Sequence, residues 1–213
     1  ARLRILKAAH EGKRFALQDA VTFQYPKRIQ SLEKELQSLQ MDLDRRNQAM
    51  EVQPGFAITL QGKVYEKHKE AGEVLRGIIE GVTAFTRHEV GMYKGFQVFV
   101  QKDMMEPVLF LQGEKEYSVE LKSSDSGNMV RMENRLNALD KAVEDVQKEI
   151  KTCENEIKNA KQEYAKPFPY EELLKENITR QMEIDAELEI KDQEECVEVQ
   201  EETKNLPCQT AVR

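Results

Sequence analysis

The chain has 213 residues, 33% of them charged, with 32 Lys and Arg against 39 Asp and Glu and a net charge of -7. The charged share exceeds the roughly 25% usual in globular domains, and only 7% of residues are aromatic, with no Trp. That balance favours long solvated helices over a large compact enzyme. No apolar run reaches the about 18 residues of a membrane helix, and the basic start ARLRILKAAHEGKRF lacks the apolar core of a secretory signal. Cys153, Cys196 and Cys208 are too scattered for a disulfide framework or a zinc site. A cytoplasmic protein with no membrane contact is therefore expected.

In chain order, residues 1–20 read as a short helix carrying Leu3, Leu6, Ala16 and Leu17 among Arg and Lys. A break is expected at Phe23-Gln24-Tyr25-Pro26, with Pro26 opening the next helix because its fixed φ suits a first turn. From Ile29 the apolar residues Leu32, Leu36, Leu39 and Leu43 alternate at three and four, a heptad seam that weakens at Arg46 and Met50 and stops before Pro54-Gly55.

Residues 56–121 change character and hold eight of the fourteen aromatics. Period-two alternation at Phe56, Ile58 and Leu60, at Phe96, Val98 and Val100, at 108–112, and at Tyr117, Val119 and Leu121 predicts short antiparallel strands. Gln61-Gly62 and Gly113-Glu114 read as turns. One helix is predicted at about 67–84, with Ala71, Val74, Leu75, Ile78 and Ile79 on one side. Asn128 or Ser126 is the expected cap of the helix that follows.

A second seam runs through Met132, Leu136, Leu139, Val143, Val146, Ile150, Cys153, Ile157, Ala160 and Tyr164 without a slip. It predicts one helix about 50 Å long, ended by Pro167 and Pro169. The expected fold is α+β: long antiparallel coiled-coil-like helices flanking a small antiparallel-sheet head with one helix. Its parts are N-terminal stalk helices (1–53), the head (54–125), the return helix (126–166), a short helical segment (167–190) and a loose acidic tail (191–213). The same seams allow a parallel homodimer.

The catalytic inventory is poor. His10, His68 and His88 share no metal-ligand spacing and read as surface residues. Cys153 sits at a heptad core position and reads as a small buried apolar residue. No phosphate loop, dinucleotide fingerprint or nucleophile elbow is present. No cofactor, no metal and no activity of this region alone are expected. The charge is uneven: residues 1–50 hold ten basic against six acidic side chains, and 171–213 hold five against thirteen. The acidity belongs to the C-terminal segment, so the net charge does not exclude nucleic acid.

Several runs recur together: Gly91-Met92-Tyr93-Lys94-Gly95-Phe96, then Gly113 and Tyr117-Ser118-Val119, then Gly127-Asn128-Met129-Val130-Arg131-Met132-Glu133-Asn134. A long heptad helix and Ala165-Lys166-Pro167-Phe168 follow, and Leu17-Gln18-Asp19 and Ala71-Gly72 after Tyr65 also fit. Over residues 3–190 this pattern resembles the C-terminal region of large SNF2-type helicase-like proteins, often fused to an adenine-DNA-methylase-like part, of bacterial mobile elements. The resemblance implies an accessory region of a DNA-processing protein, with its motor and methylase-like domains upstream as partners.

Two functions compete. In the first the region contacts or positions DNA: Lys94, Arg87, Arg131 and Arg135 would meet phosphates and Tyr93 would stack on a base. In the second it is a coiled-coil structural or protein-interaction arm without nucleic-acid contact. The structural alternative for these residues is a tight turn at Gly95, Phe96 in the core, a solvated Lys94, and Arg131 and Arg135 paired along their helix.

Overall fold

Leu32, Leu36, Leu39 and Leu43 recur at helical spacing and lie along one side of α2 (Tyr25–Val52), where Leu32 and Leu39 are buried. The computed structural model describes residues 1–102 and 106–204, with side chains as far as 189. Before α2 come α1 (Arg2–Asp19) and a π-helical segment, Ala20–Gln24. The expected break at Phe23–Pro26 is thus a widened helical turn rather than a loop. Pro26 has no N–H, and its ring would crowd the carbonyl four residues back; a wider turn just before it relieves that clash.

The chain clusters into two units, one of Ala1–Asp19 with the residues from Ala160 on, the other of Ala20–Asn159. The second unit holds a six-stranded antiparallel sheet in the order β2-β1-β3-β4-β5-β6. The strands are β1 (Ile58–Leu60), β2 (Lys63–Tyr65), β3 (Arg87–Tyr93), β4 (Phe96–Lys102), β5 (Pro107–Gln112) and β6 (Glu116–Glu120). Helix α3 (His68–Gly81) joins β2 to β3, and α4 (Asp125–Asn137) follows β6. Alternation sets the faces: Ile58, Leu60, Val98, Val100, Leu109, Leu111, Tyr117 and Val119 point into the core with Ala71 and Leu75 of α3 and Met129, Met132 and Leu136 of α4. Strand β3 escapes the sequence reading because Gly91 and a register shift between Glu89 and Gly91 break its alternation.

The predicted single return helix is two. It stops after Asn137 and restarts as α5 (Leu139–Tyr164). Arg46 meets this junction: its Nη1 donates to the Leu136 carbonyl at 3.0 Å, the acceptor that helical continuation would use. The heptad seam therefore serves two roles. Met132 and Leu136 close the sheet core, while Leu139, Val143 and Val146 belong to the same cluster as Leu36, Leu39 and Leu43 of α2. Arg46 pairs with Asp140, whereas Arg28, earlier on α2, pairs with Glu149, later on α5, so the two helices run in opposite directions.

Helix α4 is capped by Ser124, whose Oγ accepts from the Gly127 N–H at 3.2 Å, and not by the expected Asn128 or Ser126. Asn128 instead copies a strand partner: it accepts from the Lys122 N–H and donates to the Lys122 carbonyl, both at 2.8 Å.

In the other unit α1 lies against the end of α5 and the start of α6 (Glu171–Lys204). Lys7 pairs with Glu171 at 2.9 Å, Arg14 sits over the Tyr164 ring, and Arg4 donates to Gln181. Phe168, in the proline turn, packs between His10 and Tyr170. The segment expected to be loose from 191 is helical through Lys204, as its strong helix formers Glu, Gln and Lys allow. The remainder of that tail, including Cys208, lies outside the described residues.

Candidate functional site

The most constrained polar group in the sheet-bearing unit is Asp42, a carboxylate fully buried on α2. It accepts from the Glu114 N–H (2.7 Å), the Lys115 N–H (2.9 Å) and the Tyr117 hydroxyl (2.7 Å). Three donors satisfy the charge, so α2 is fastened to the β5–β6 turn. Gly113 is required for this approach: a Cβ there would lie 2.1 Å from Asp42 Oδ1 and 2.6 Å from Phe96 Cε1. Burial, followed by the Asp42 hydrogen bond, pushes the Tyr117 hydroxyl well above the ordinary tyrosine range.

One turn further along α2, Arg46 is 7% exposed. Besides the Leu136 carbonyl it donates to both Asp140 oxygens, at 2.7 and 3.2 Å, and to Asn47 Oδ1. The Arg46 fork holds the Asp140 carboxyl below its usual value. Asp42 and Arg46 are one helical turn apart and tie α2 to the sheet and to the α4–α5 junction. The sequence carried one sign of this, the weakening of the apolar seam at Arg46.

The five residues expected to meet DNA are dispersed. Tyr93 is 2% exposed, its ring 5.7 Å from Phe56, and burial raises its hydroxyl far above the usual value. This corrects the stacking role: the last residue of β3 has core parity, so the ring offers no face to a base. Lys94 has a positive φ of 48° in the β3–β4 turn, beside Gly95 at 82°. Its Nζ donates to the carbonyls of Gln53 and Gly55, closing the exit of α2, and desolvation lowers its pKa. It is not the freely solvated side chain of the structural alternative.

Arg87 lies on the opposite, outer face of the sheet. Its guanidinium covers Phe99 at 4.4 Å and Phe110 at 4.7 Å and pairs with Glu116 at 2.5 Å. Arg131 donates to Asn128 Oδ1 at 2.8 Å, completing the Lys122 clasp. Arg135 is exposed, and its guanidinium lies 5.8 Å from the Tyr117 ring centre. Arg131 and Arg135 share α4, but Tyr93, Lys94 and Arg87 occupy the core, a turn and the outer face, so no single basic surface assembles from the five.

The histidines are half-buried rather than free on the surface. His68 stacks on Phe56 at 3.9 Å and meets Glu133 at 3.1 Å. His88 has a buried Nε2 without a hydrogen-bond partner. Cys153 is buried on α5, as its heptad position predicts. Among the described residues no group of three His, Cys, Asp or Glu is placed to hold a metal, and no helix is long and apolar enough to cross a membrane. No protein-family model matches the chain, and no curated protein and no solved structure matches it.

Proposed function

We propose that this chain is a non-catalytic accessory arm of a larger helicase-like DNA-processing protein, in which antiparallel, coiled-coil-like helices carry a small sheet head and present it to protein partners. The resemblance to the C-terminal region of SNF2-type helicase-like proteins supports the placement. The observation that carries the arm reading over direct DNA contact is the fate of the basic side chains. Lys94, Arg87 and Arg131 are each bound to a carbonyl or side-chain oxygen of the unit itself, and Tyr93 is in its core. Phosphate contact by these residues would first have to break those bonds.

The Asp42 and Arg46 fasteners support the same reading, because an arm that positions a head needs a stiff joint between them. The test is capture. The tagged chain should retain the upstream helicase-like region of its parent polypeptide, and Asp42→Ala should weaken that capture by loosening the head. Failure to retain the region, with a folded chain, would overturn the reading. The DNA-contacting reading keeps one supporting observation, Arg135, which is exposed and makes no hydrogen bond or ion pair among the described residues.

A further inference from the structure

Helix α1 turns an apolar side to solvent. Ile5, Ala8, Ala9, Gly12, Phe15 and Ala16 follow helical spacing along one stripe and are all exposed, Ile5 by 69% and Phe15 by 73%. The half-buried side of the same helix carries Lys7, His10 and Arg14 between Leu3 and Leu17. There Lys7 pairs with Glu171, Arg14 covers the Tyr164 ring and His10 packs on Phe168. A surface helix ordinarily turns its charges outward and its apolar stripe inward; α1 departs from this over about 15 Å of its length. Single exposed apolar residues are common, but a charge-free stripe with Ile and Phe towards its ends marks a contact surface. At Gly12 an added Cβ would meet nothing within 4 Å, so the middle of the stripe is open.

We propose that this stripe docks an amphipathic helix of a partner protein, one whose apolar seam is flanked by Asp and Glu. Shape and charge select that occupant. Ala8 and Gly12 form a low saddle between the larger Ile5 and Phe15, so a helix laid there approaches the α1 backbone closely. The rims are mainly basic. Helical spacing sets Arg2 and Lys13 on one side of the stripe and Arg4 with Glu11 on the other, all four exposed. Glu163 lies 4.0 Å from Lys13, whose side chain stays 67% exposed, and Arg4 donates to the neutral Gln181 amide. Three cations against one carboxylate complement an acidic helix. A second copy of α1 fits less well, because its basic rims would meet basic rims. A bilayer gains little from Ala and Gly, and DNA phosphates find no side-chain donor in the stripe.

One helix laid along about three turns of α1 buries less than a standard interface, so a dissociation constant of about 10–100 μM is expected. The proposal deepens the arm reading, on which it rests, by naming the face that receives a partner and the class of that partner. Helix binding and capture of the upstream region are separate measurements, and either can fail while the other succeeds.

The test is a fluorescence-polarisation titration of a labelled three-heptad peptide, with Leu at a and d and Glu at e and g, by the full chain at low and high salt. The same peptide with Lys in place of Glu is the control. The Glu peptide should bind saturably, and its binding should weaken with added salt. Ile5→Glu with Phe15→Glu should lower its affinity about tenfold or more. Arg2→Glu with Lys13→Glu should weaken the Glu peptide and strengthen the Lys peptide. Gly12→Gln, which sets a side chain across the saddle without adding charge, should also weaken binding. All these positions are exposed, so the variants should keep the wild-type unfolding midpoint. No saturable binding of the Glu peptide up to about 500 μM overturns the proposal. So does equal binding of the Lys peptide, or binding that is unchanged in the folded stripe variants. A stripe whose variants instead abolish a dimer seen by sedimentation equilibrium, or binding to phosphatidylserine vesicles, overturns it as well.

Discussion

The Tyr117 hydroxyl donates to Asp42 Oδ2 at 2.7 Å across 75 positions of sequence, joining an edge strand to the middle of α2. Both partners are buried and the carboxylate has no contact with water. Removing it strands three donors at once. Asp42→Ala is expected to cost about 3 kcal/mol or more, and Tyr117→Phe about 1–2 kcal/mol. Denaturant unfolding of both single variants and the double variant checks this. The double variant should lose less than the sum, since Asp42→Ala already removes the acceptor of Tyr117.

The glycines divide sharply. Gly113→Ala would place a Cβ 2.1 Å from Asp42 Oδ1, and Gly91→Ala would place one 1.8 Å from the Thr59 carbonyl oxygen on the neighbouring strand. Each is expected to lower stability by about 2 kcal/mol or more, Gly91→Ala by prising β1 from β3. At Gly77, inside α3, an added Cβ would meet nothing within 4 Å. Gly77→Ala should be neutral or stabilising by up to about 1 kcal/mol. Thermal midpoints of the three variants distinguish these outcomes.

Acid should loosen the α2–α5 joint. Asp140 has an ordinary pKa of 3.8, and its folded value is lowered, first by the hydrogen bond from Arg46. A carboxyl depressed by folding binds fewer protons in the native state. Its contribution is therefore complete above the ordinary value and is lost as pH falls through the folded one. Asp140→Asn should flatten the decline of stability below about pH 4. An unchanged acid profile would count against the pairing.

Alkali acts on the two buried phenols. Tyr93 and Tyr117 both have hydroxyl pKa values raised above the ordinary 10.0, with burial the largest cause in each. A raised pKa means that the folded state retains protons that the unfolded state releases. Stability is then complete below about pH 10 and falls as pH rises past it. Tyrosinate absorbance should show a late fraction that ionises only with unfolding. Tyr117→Phe should reduce that fraction and moderate the alkaline decline.

The regular parts of this fold were legible in period alone. Leu32, Leu36 and Leu39 marked α2, and Val98 and Val100 marked β4, because their side chains repeat with the backbone. The polar fasteners left no such signal. Asp42 resembles any acidic residue at an outer heptad position; only the folded turn at Gly113 brings two N–H groups and a phenol to it. The clasp at the helix break after Asn137 was hidden for the same reason, since Arg46 reaches the Leu136 carbonyl from 90 residues away. Tyr93 misled through its neighbours: beside Lys94 and Gly95 it looks like the exposed tip of a turn, yet strand parity turns its ring inward.

In the proposed arm, the basic residues of the sheet-bearing unit fasten the fold and do not grip nucleic acid. The most direct test is a titration of labelled single- and double-stranded DNA with the full chain at low salt, read by fluorescence polarisation. No saturable binding is expected at tens of micromolar, and Lys94→Ala and Arg131→Ala should change the unfolding midpoint alone. Binding in that range that weakens steeply with added salt, and that falls on Arg135→Ala or Lys94→Ala without loss of fold, would contradict it.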